Sequence, residues 1–122
     1  MRNYIVATIL AVLCLVTQEV KGQFVSYNQI ENGKYEATVY YSSSTGHRAK
    51  YQLVVTVFND VVTAIHFDNN GSVHSGYNNE GYSYSGGSLS FSRDYNGKIT
   101  GASTTVEVRY PNGTKLLFKI EI

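Results

Sequence analysis

The sequence predicts an all-β domain: a six-stranded antiparallel meander that forms a small barrel or a two-layer sandwich and follows a cleaved signal peptide. Apolar and polar residues alternate along most of the chain after residue 23, which is the period of a half-buried strand. No segment of this region carries a helical period, and short turn sequences rich in Asn, Asp and Gly separate the alternating runs. These observations favour strands joined by tight turns.

The start of the chain has the organisation of an export signal. A short positive segment precedes an apolar run at 4–16, which is shorter than the roughly 20 residues needed to cross a bilayer. Val20 and Gly22 satisfy the small-residue pattern of a cleavage site, so we predict a signal peptide at 1–22 and a secreted or periplasmic mature chain that begins at Gln23. Residues 23–122 then form a single all-β domain without a membrane anchor.

The cysteine content and the balance of charges limit the classes of protein to which the chain can belong. The only cysteine, Cys14, lies in the predicted signal, so the mature chain has no disulfide, no thiolate metal site and no cysteine nucleophile. Small secreted eukaryotic domains usually depend on disulfides, and their absence favours a bacterial protein. Eight basic and eight acidic residues follow position 22. A mature chain of near-zero net charge has no charge pattern for nucleic acid or an anionic membrane, and we expect neither partner.

The first three predicted strands lie at 34–41, 50–58 and 61–67. Asn59 and Asp60 form a tight turn between the second and the third. Each strand has one apolar face; in the first two strands the residues of that face are Tyr35, Ala37, Val39, Tyr41, Tyr51, Leu53, Val55 and Val57.

The last three predicted strands lie at 88–93, 98–110 and 114–122, separated by turns at 95–97 and 111–113. Because one apolar face per strand must be covered, the sheet has to curl or fold over. The residues predicted to face the core are Leu53, Val55, Ile65, Phe91, Phe118 and Ile120.

The long connection at 68–88 is the predicted binding site. It consists mainly of Tyr, Ser, Gly and Asn, the composition of recognition loops, and long loops in small domains are usually functional or disordered. Tyr82 and Tyr84 alternate with serines, so both rings should leave the backbone on one side. We predict a non-catalytic binding protein that contacts a protein or glycan partner; the predicted binding residues are Tyr77, Asn78, Asn79, Tyr82 and Tyr84. The alternative is that the tyrosines fold over the end of the sheet as an outlying part of the core.

Metal binding and catalysis have weaker support in the sequence. His66 and His74 flank Asp68, and Glu80 follows, but the spacing does not bring a set of zinc ligands onto one face. No serine lies in a nucleophile-elbow motif, and nothing in the spacing makes the carboxylates converge. We therefore expect no catalytic residues, no metal and no cofactor.

Two stretches resemble a known family. Residues 32–65, "NGKYEATVYY…YQLVVTVFNDVVTAI", are similar to the opening of small FMN-binding domains, which begin with a Gly-x-Tyr strand and a strand-turn-strand unit. Residues 100–105, "TGASTT", resemble the family's S-G-A-T-x-T attachment motif, with Thr100 at the position of its serine and Ser103 at the position of its threonine. The resemblance implies a flavin carrier as the alternative function, and a small metal-dependent hydrolase is a third possibility.

Overall fold

The computed structural model describes residues 20–21, 28–76 and 81–122, and every regular element in these ranges is a β-strand. The strands are β1 (Val20–Lys21), β2 (Gly33–Ser43), β3 (Arg48–Phe58), β4 (Val61–His66), β5 (Ser72–His74), β6 (Ser83–Gly86), β7 (Ser90–Arg93), β8 (Ile99–Arg109) and β9 (Lys115–Glu121). None of the described residues belongs to a helix that could span a bilayer. Most of the predicted signal peptide and the predicted mature start at Gln23 lie outside the described residues.

The strands form one sheet that closes almost completely on itself, in a barrel-like form. Its order is β5, β4, β3, β2, β9, β8, β6, with β7 also paired to β8. All pairs are antiparallel except that of β1, which lies parallel to β2 beside Lys34 and Tyr35. The all-β antiparallel prediction is therefore confirmed, and the pairing of β2 with β9 joins the first long strand to the last.

The barrel closes between β4 and the segment that links β6 to β7. The Val62 N–H donates to the Gly87 carbonyl oxygen at 2.8 Å, and the Leu89 N–H donates to the Asp60 carbonyl oxygen at 2.9 Å. Gly87 has φ +101°, and a Cβ atom there would lie 2.5 Å from the Val62 carbonyl oxygen. Glycine is needed at this crossing because any side chain would push the two strands apart.

The predicted hairpin turn at 59–60 has the expected conformation. Asn59 and Asp60 have φ of 51° and 62°, the left-handed values that a two-residue type I′ turn requires. The preceding segment holds this turn in place: the Asn59 N–H donates to Asn32 Oδ1 at 2.8 Å, and the Ile30 N–H donates to Asp60 Oδ1 at 3.0 Å.

The core fills the inside of the barrel and agrees with most of the predicted inward positions. Its buried residues come from nearly every long strand: Ile30, Tyr35, Ala37, Val39, Leu53, Val55, Val57, Val62, Ala64, Ile65, Val73, Tyr82, Ile99, Ala102, Val106, Val108, Phe118 and Ile120. Of the six predicted core residues, only Phe91 is not buried; it is half-buried and packs against the core from β7. The reason is that β7 is four residues long and, among the described strands, pairs only with β8.

The prediction of one long unstructured connection at 68–88 is wrong in part. The described portion of this stretch contains two short strands, β5 against β4 and β6 against β8. Neither has a usable apolar alternation, since β5 reads Ser-Val-His and β6 reads Ser-Tyr-Ser-Gly. Pairing with a longer neighbour, rather than local sequence preference, makes these residues strands.

Candidate functional site

Tyr82 and Tyr84 lie where the barrel closes, not on an exposed loop. Tyr82 is 8% exposed, and its hydroxyl accepts a hydrogen bond of 3.0 Å from the His74 backbone N–H. Tyr84 is half-buried, and its hydroxyl donates to the Val62 carbonyl oxygen at 2.7 Å. Burial, followed by the nearby Tyr82, raises the pKa of Tyr84 far above its usual value. The two rings thus take the alternative arrangement, in which they complete the core.

The Tyr82 ring also belongs to a small aromatic cluster. It lies 6.2 Å from the His74 ring and 6.0 Å from the Tyr110 ring, both in edge-on geometry, which is favourable for aromatic pairs. These contacts hold Tyr82 in place, so its side chain has little freedom to reach a partner. The other predicted binding residues, Tyr77, Asn78 and Asn79, lie outside the described residues.

An open recess of about 490 Å³ occupies one end of the barrel. It is lined by Tyr41, Tyr51, Leu53, Phe67, Asp68, Asn69, Leu116 and Phe118. We call this recess the barrel mouth. Mouths of β-barrels are among the common places for ligand sites, and the volume is within the roughly 300–1,000 Å³ of such sites.

Aromatic rings form the floor and walls of the barrel mouth. Phe118, only 2% exposed, is the floor. The Tyr41 ring lies 5.5 Å and the Phe67 ring 6.0 Å from the Phe118 ring, both tilted. Tyr51 is 44% exposed at the rim. Its neighbour Leu53 is buried on the same face of β3. The exposure of Tyr51 follows from its place near the open end, where none of the described strands covers it.

The polar part of the rim is the turn between β4 and β5. The Phe67 N–H donates to the Gly71 carbonyl oxygen at 2.8 Å, and Asn69 Oδ1 accepts from the Gly71 N–H at 3.0 Å. Asn70 has φ 67°, a left-handed conformation that asparagine tolerates. The turn is thus held by its own hydrogen bonds, while the exposed Asp68 carboxylate forms no hydrogen bond or ion pair in the described part of the chain.

The histidines that suggested a metal site have separate surroundings. His66 Nε2 lies 2.7 Å from Thr56 Oγ1, and burial, followed by the charge of Lys34, lowers the pKa of His66. His74 Nδ1 lies 3.2 Å from the Ser75 carbonyl oxygen. Among residues 20–21, 28–76 and 81–122, no three His, Cys, Asp or Glu side chains are grouped so as to hold a metal ion.

The stretch that resembles a flavin attachment motif lies in the interior of the sheet. Residues 100–105 belong to β8, where Ser103 is exposed and lies opposite Ser90 on one side and Glu121 on the other. Ala102 beside it is buried in the core. The motif residues therefore occupy an ordinary strand with neighbours on both edges.

Sequence reasoning assigned Tyr41 and Tyr51 to the inward face but did not identify the barrel mouth. Val39 pairs with Tyr51 and Tyr41 with Ala49, so the two tyrosines lie near the same end of the β2–β3 hairpin. The sequence did contain a sign of this opening, because tyrosine is the residue of the predicted inward face nearest to the β2–β3 turn on both strands. Phe67 and Asp68 follow β4, the hairpin partner of β3. The packing of Phe67 on Phe118 joins β4 to β9, which are not neighbours in the strand order, and has no local signal.

Comparisons with known proteins add no family or relative to these observations. No family model, no curated protein and no solved structure matches the chain.

Proposed function

We propose that this protein is an exported, non-catalytic binding protein and that it binds a glycan in the barrel mouth. The observation that carries the proposal is a recess of about 490 Å³ whose floor and walls are aromatic and whose rim includes a carboxylate without a partner in the described chain. This combination of apolar floor and few polar groups at the rim is typical of small-molecule sites.

A sugar ring matches both parts of the barrel mouth. One face of a pyranose presents C–H groups, which contact the negatively polarised face of an aromatic ring favourably. Tyr51 is 44% exposed at the rim and offers such a ring. The hydroxyls of the same sugar are hydrogen-bond donors, and the Asp68 carboxylate is an acceptor only. A carboxylate that accepts hydroxyl hydrogens forms hydrogen bonds about twice as strong as neutral ones.

The shape of the recess favours a glycan over a folded protein partner. Stable protein interfaces bury roughly 800 Å² on each side around an apolar centre. The barrel mouth is a concave opening with two buried lining residues, Phe118 and Leu53, and its rim is partly polar at Asp68 and Asn69. It accommodates the end of an oligosaccharide or a single inserted side chain, and the rim carboxylate favours the hydroxyl-rich ligand.

The test is a screen of the purified protein, residues 23–122, against arrays of neutral oligosaccharides, with calorimetry on the best ligand. Tyr51→Ala should weaken binding by roughly tenfold or more, since a stacked aromatic anchor commonly contributes more than about 1.4 kcal/mol. Asp68→Asn should also weaken binding because the amide is the poorer acceptor.

Tyr95→Ala is the matched control. Tyr95 is 97% exposed in the turn between β7 and β8, outside the residues that line the mouth. Equal loss of binding in the Tyr51 and Tyr95 variants would contradict the proposal, and so would capture of a peptide but no oligosaccharide by the mouth.

A further inference from the structure

A second recess lies on the outer surface of the sheet, across β2, β3, β8 and β9. This shallow groove of about 700 Å³ is lined by Tyr40, Tyr41, Ser42, Arg48, Ala49, Lys50, Thr105, Leu117 and Lys119. We call it the outer groove. It shares only Tyr41 with the barrel mouth, so substitutions at its other residues can separate the two sites.

Strand register places one aromatic ring between two lysines in the outer groove. Tyr40 on β2 pairs with Lys50 on β3 and with Lys119 on β9. Directly opposed residues of neighbouring strands have Cβ atoms about 4.5–5.5 Å apart. Tyr40 is 39% exposed, and Lys50 Nζ lies 5.6 Å from the centroid of its ring. The Lys50 ammonium therefore lies over one face of the Tyr40 ring, and the register places Lys119 on the strand at the other side of Tyr40.

Arg48, two residues before Lys50 on β3, adds a third cation. Ser42 pairs with Arg48 on β3 and with Leu117 on β9. Arg48 and Lys50 are two residues apart on one strand, so their side chains leave the same face. Arg48, Lys50 and Lys119 therefore surround Tyr40 on the outside of the barrel.

These three cations form no ion pair within the described chain. Glu107 on the same surface is engaged elsewhere: its carboxylate lies 2.8 Å from Lys115 Nζ and 3.3 Å from Arg109 Nε. None of the ion pairs in the described residues includes Arg48, Lys50 or Lys119. The formal net charge of the whole chain is only +1, so the outer groove concentrates positive charge that the rest of the molecule balances.

We propose that the outer groove binds a linear acidic polysaccharide. A sugar ring stacks on Tyr40 in place of the Lys50 ammonium, which moves aside to bind a carboxylate or sulfate group, while Lys119 on the other neighbouring strand binds a second such group. Arg48, with its planar fork of donors, holds an anionic group of the next sugar. This site goes beyond the proposed glycan site in the barrel mouth and does not depend on it.

The arrangement of charge favours a polysaccharide over a nucleic acid or an acidic protein. In single-stranded nucleic acid the bases stack on aromatic rings while the phosphates follow a groove beside them. Here the cations flank one ring on both sides, as anionic substituents of a stacked sugar require. A protein partner would need an apolar centre, and Leu117 is the only exposed aliphatic residue among those that line the groove.

The test measures binding of the purified protein, in the form in which cells export it, to heparin, polygalacturonate, neutral dextran and single-stranded oligo-dT. We expect binding to at least one of the two acidic polysaccharides, weakened as salt is raised because exposed charges are screened. Tighter binding to polygalacturonate would show that carboxylates are sufficient, because that polymer has no sulfate groups. No binding to either, or equally tight binding of oligo-dT, would overturn the proposal.

Substitutions test whether the acidic polysaccharide binds in the outer groove. Lys50→Gln and Lys119→Gln should each lower the affinity several-fold and reduce its salt dependence, whereas Lys98→Gln, at an exposed turn lysine, should leave both unchanged. Tyr40→Ala should also weaken binding and Tyr40→Phe should not, since the phenylalanine ring still stacks. Equal losses for Lys50→Gln and Lys98→Gln, or no loss for Tyr40→Ala, would overturn the proposal. Tyr51→Ala should not alter this binding, which separates it from the barrel mouth.

Discussion

The hydroxyl of Tyr84 donates a hydrogen bond of 2.7 Å to the carbonyl oxygen of Val62. The N–H of the same Val62 donates to the Gly87 carbonyl oxygen at 2.8 Å. Both backbone polar groups of Val62, a fully buried residue of β4, are thus satisfied by the segment that follows position 81. A tyrosine side chain supplies a bond that another strand would otherwise provide. The barrel closes in this way although the described residues contain only one isolated bridge, Val61 to Ser88.

Removing this hydroxyl should destabilise the fold. Tyr84→Phe keeps the ring but leaves the Val62 carbonyl oxygen without its donor, and a buried acceptor without a partner costs about 1–3 kcal/mol. We expect the free energy of unfolding, measured by urea denaturation, to fall by that amount. Tyr95→Phe, at a residue that is 97% exposed, should leave it unchanged. Equal stability of the two variants would show that the Tyr84 bond is not needed for closure.

Truncation of Tyr82 should lower the stability of the fold rather than act directly on ligand binding. The ring is 8% exposed and contacts His74 and Tyr110, so Tyr82→Ala should cost about 3–5 kcal/mol, as core aromatic truncations do. Thermal unfolding followed by circular dichroism measures the loss. If Tyr82→Ala instead melts like the parent protein and loses ligand binding, Tyr82 belongs to a recognition surface after all.

Phe118 supports both the core and the floor of the barrel mouth. It is 2% exposed and contacts the rings of Tyr41 and Phe67. Phe118→Ala should lower the free energy of unfolding by about 3–5 kcal/mol, a large share of the roughly 5–15 kcal/mol of a typical domain. Leu117→Ala, an exposed neighbour on the same strand, is the control and should cost much less. A reversed order would mean that the last strand is shifted by one residue.

The stability of the protein should decrease in mild acid through His66. Burial, and next the charge of Lys34, lower its pKa in the folded state below the ordinary 6.5. Below pH 6.5 the unfolded chain therefore binds more protons at this site than the folded chain, so the contribution is fully present above that pH and is lost as the pH falls. His66→Gln should show a smaller loss of unfolding free energy between about pH 7 and about pH 5. His47→Gln, at an exposed turn residue, should keep the parent slope.

The export prediction concerns the N-terminus of the mature chain. Val20 and Gly22 fit a signal-peptidase site, so N-terminal sequencing of the exported protein should find Gln23 first. Cleavage there would remove β1, which pairs with β2 at Lys34 and Tyr35. A start before residue 18, or a lipid on Cys14, would refute this site of cleavage.

The long strands could be predicted from the sequence because their signal is local. Alternation in β2, β3 and β9 places Val39, Val55 and Ile120 inward, and all three are fully buried. The turn at Asn59 and Asp60 could also be predicted, since few residue pairs accept two left-handed conformations in succession. In these segments the side-chain period and the turn residues specify the same structure, and no distant contact is needed to interpret them.

The sequence by itself therefore determined the class of fold, the long strands and most of the buried face. Tertiary structure decided the positions that depend on closure. Tyr82 and Tyr84 have the composition of a recognition loop around them, yet both pack against the barrel. Tyr82 contacts His74 of β5 and Tyr110, and Tyr84 donates a hydrogen bond to Val62 of β4. Two sites arise only when distant strands meet: the barrel mouth joins Phe67, which follows β4, to Phe118 on β9, and the outer groove joins Lys50 to Lys119. The physical reason is that strand register and barrel closure set the distances between residues far apart in the chain. The local alternation of polar and apolar residues does not determine those distances.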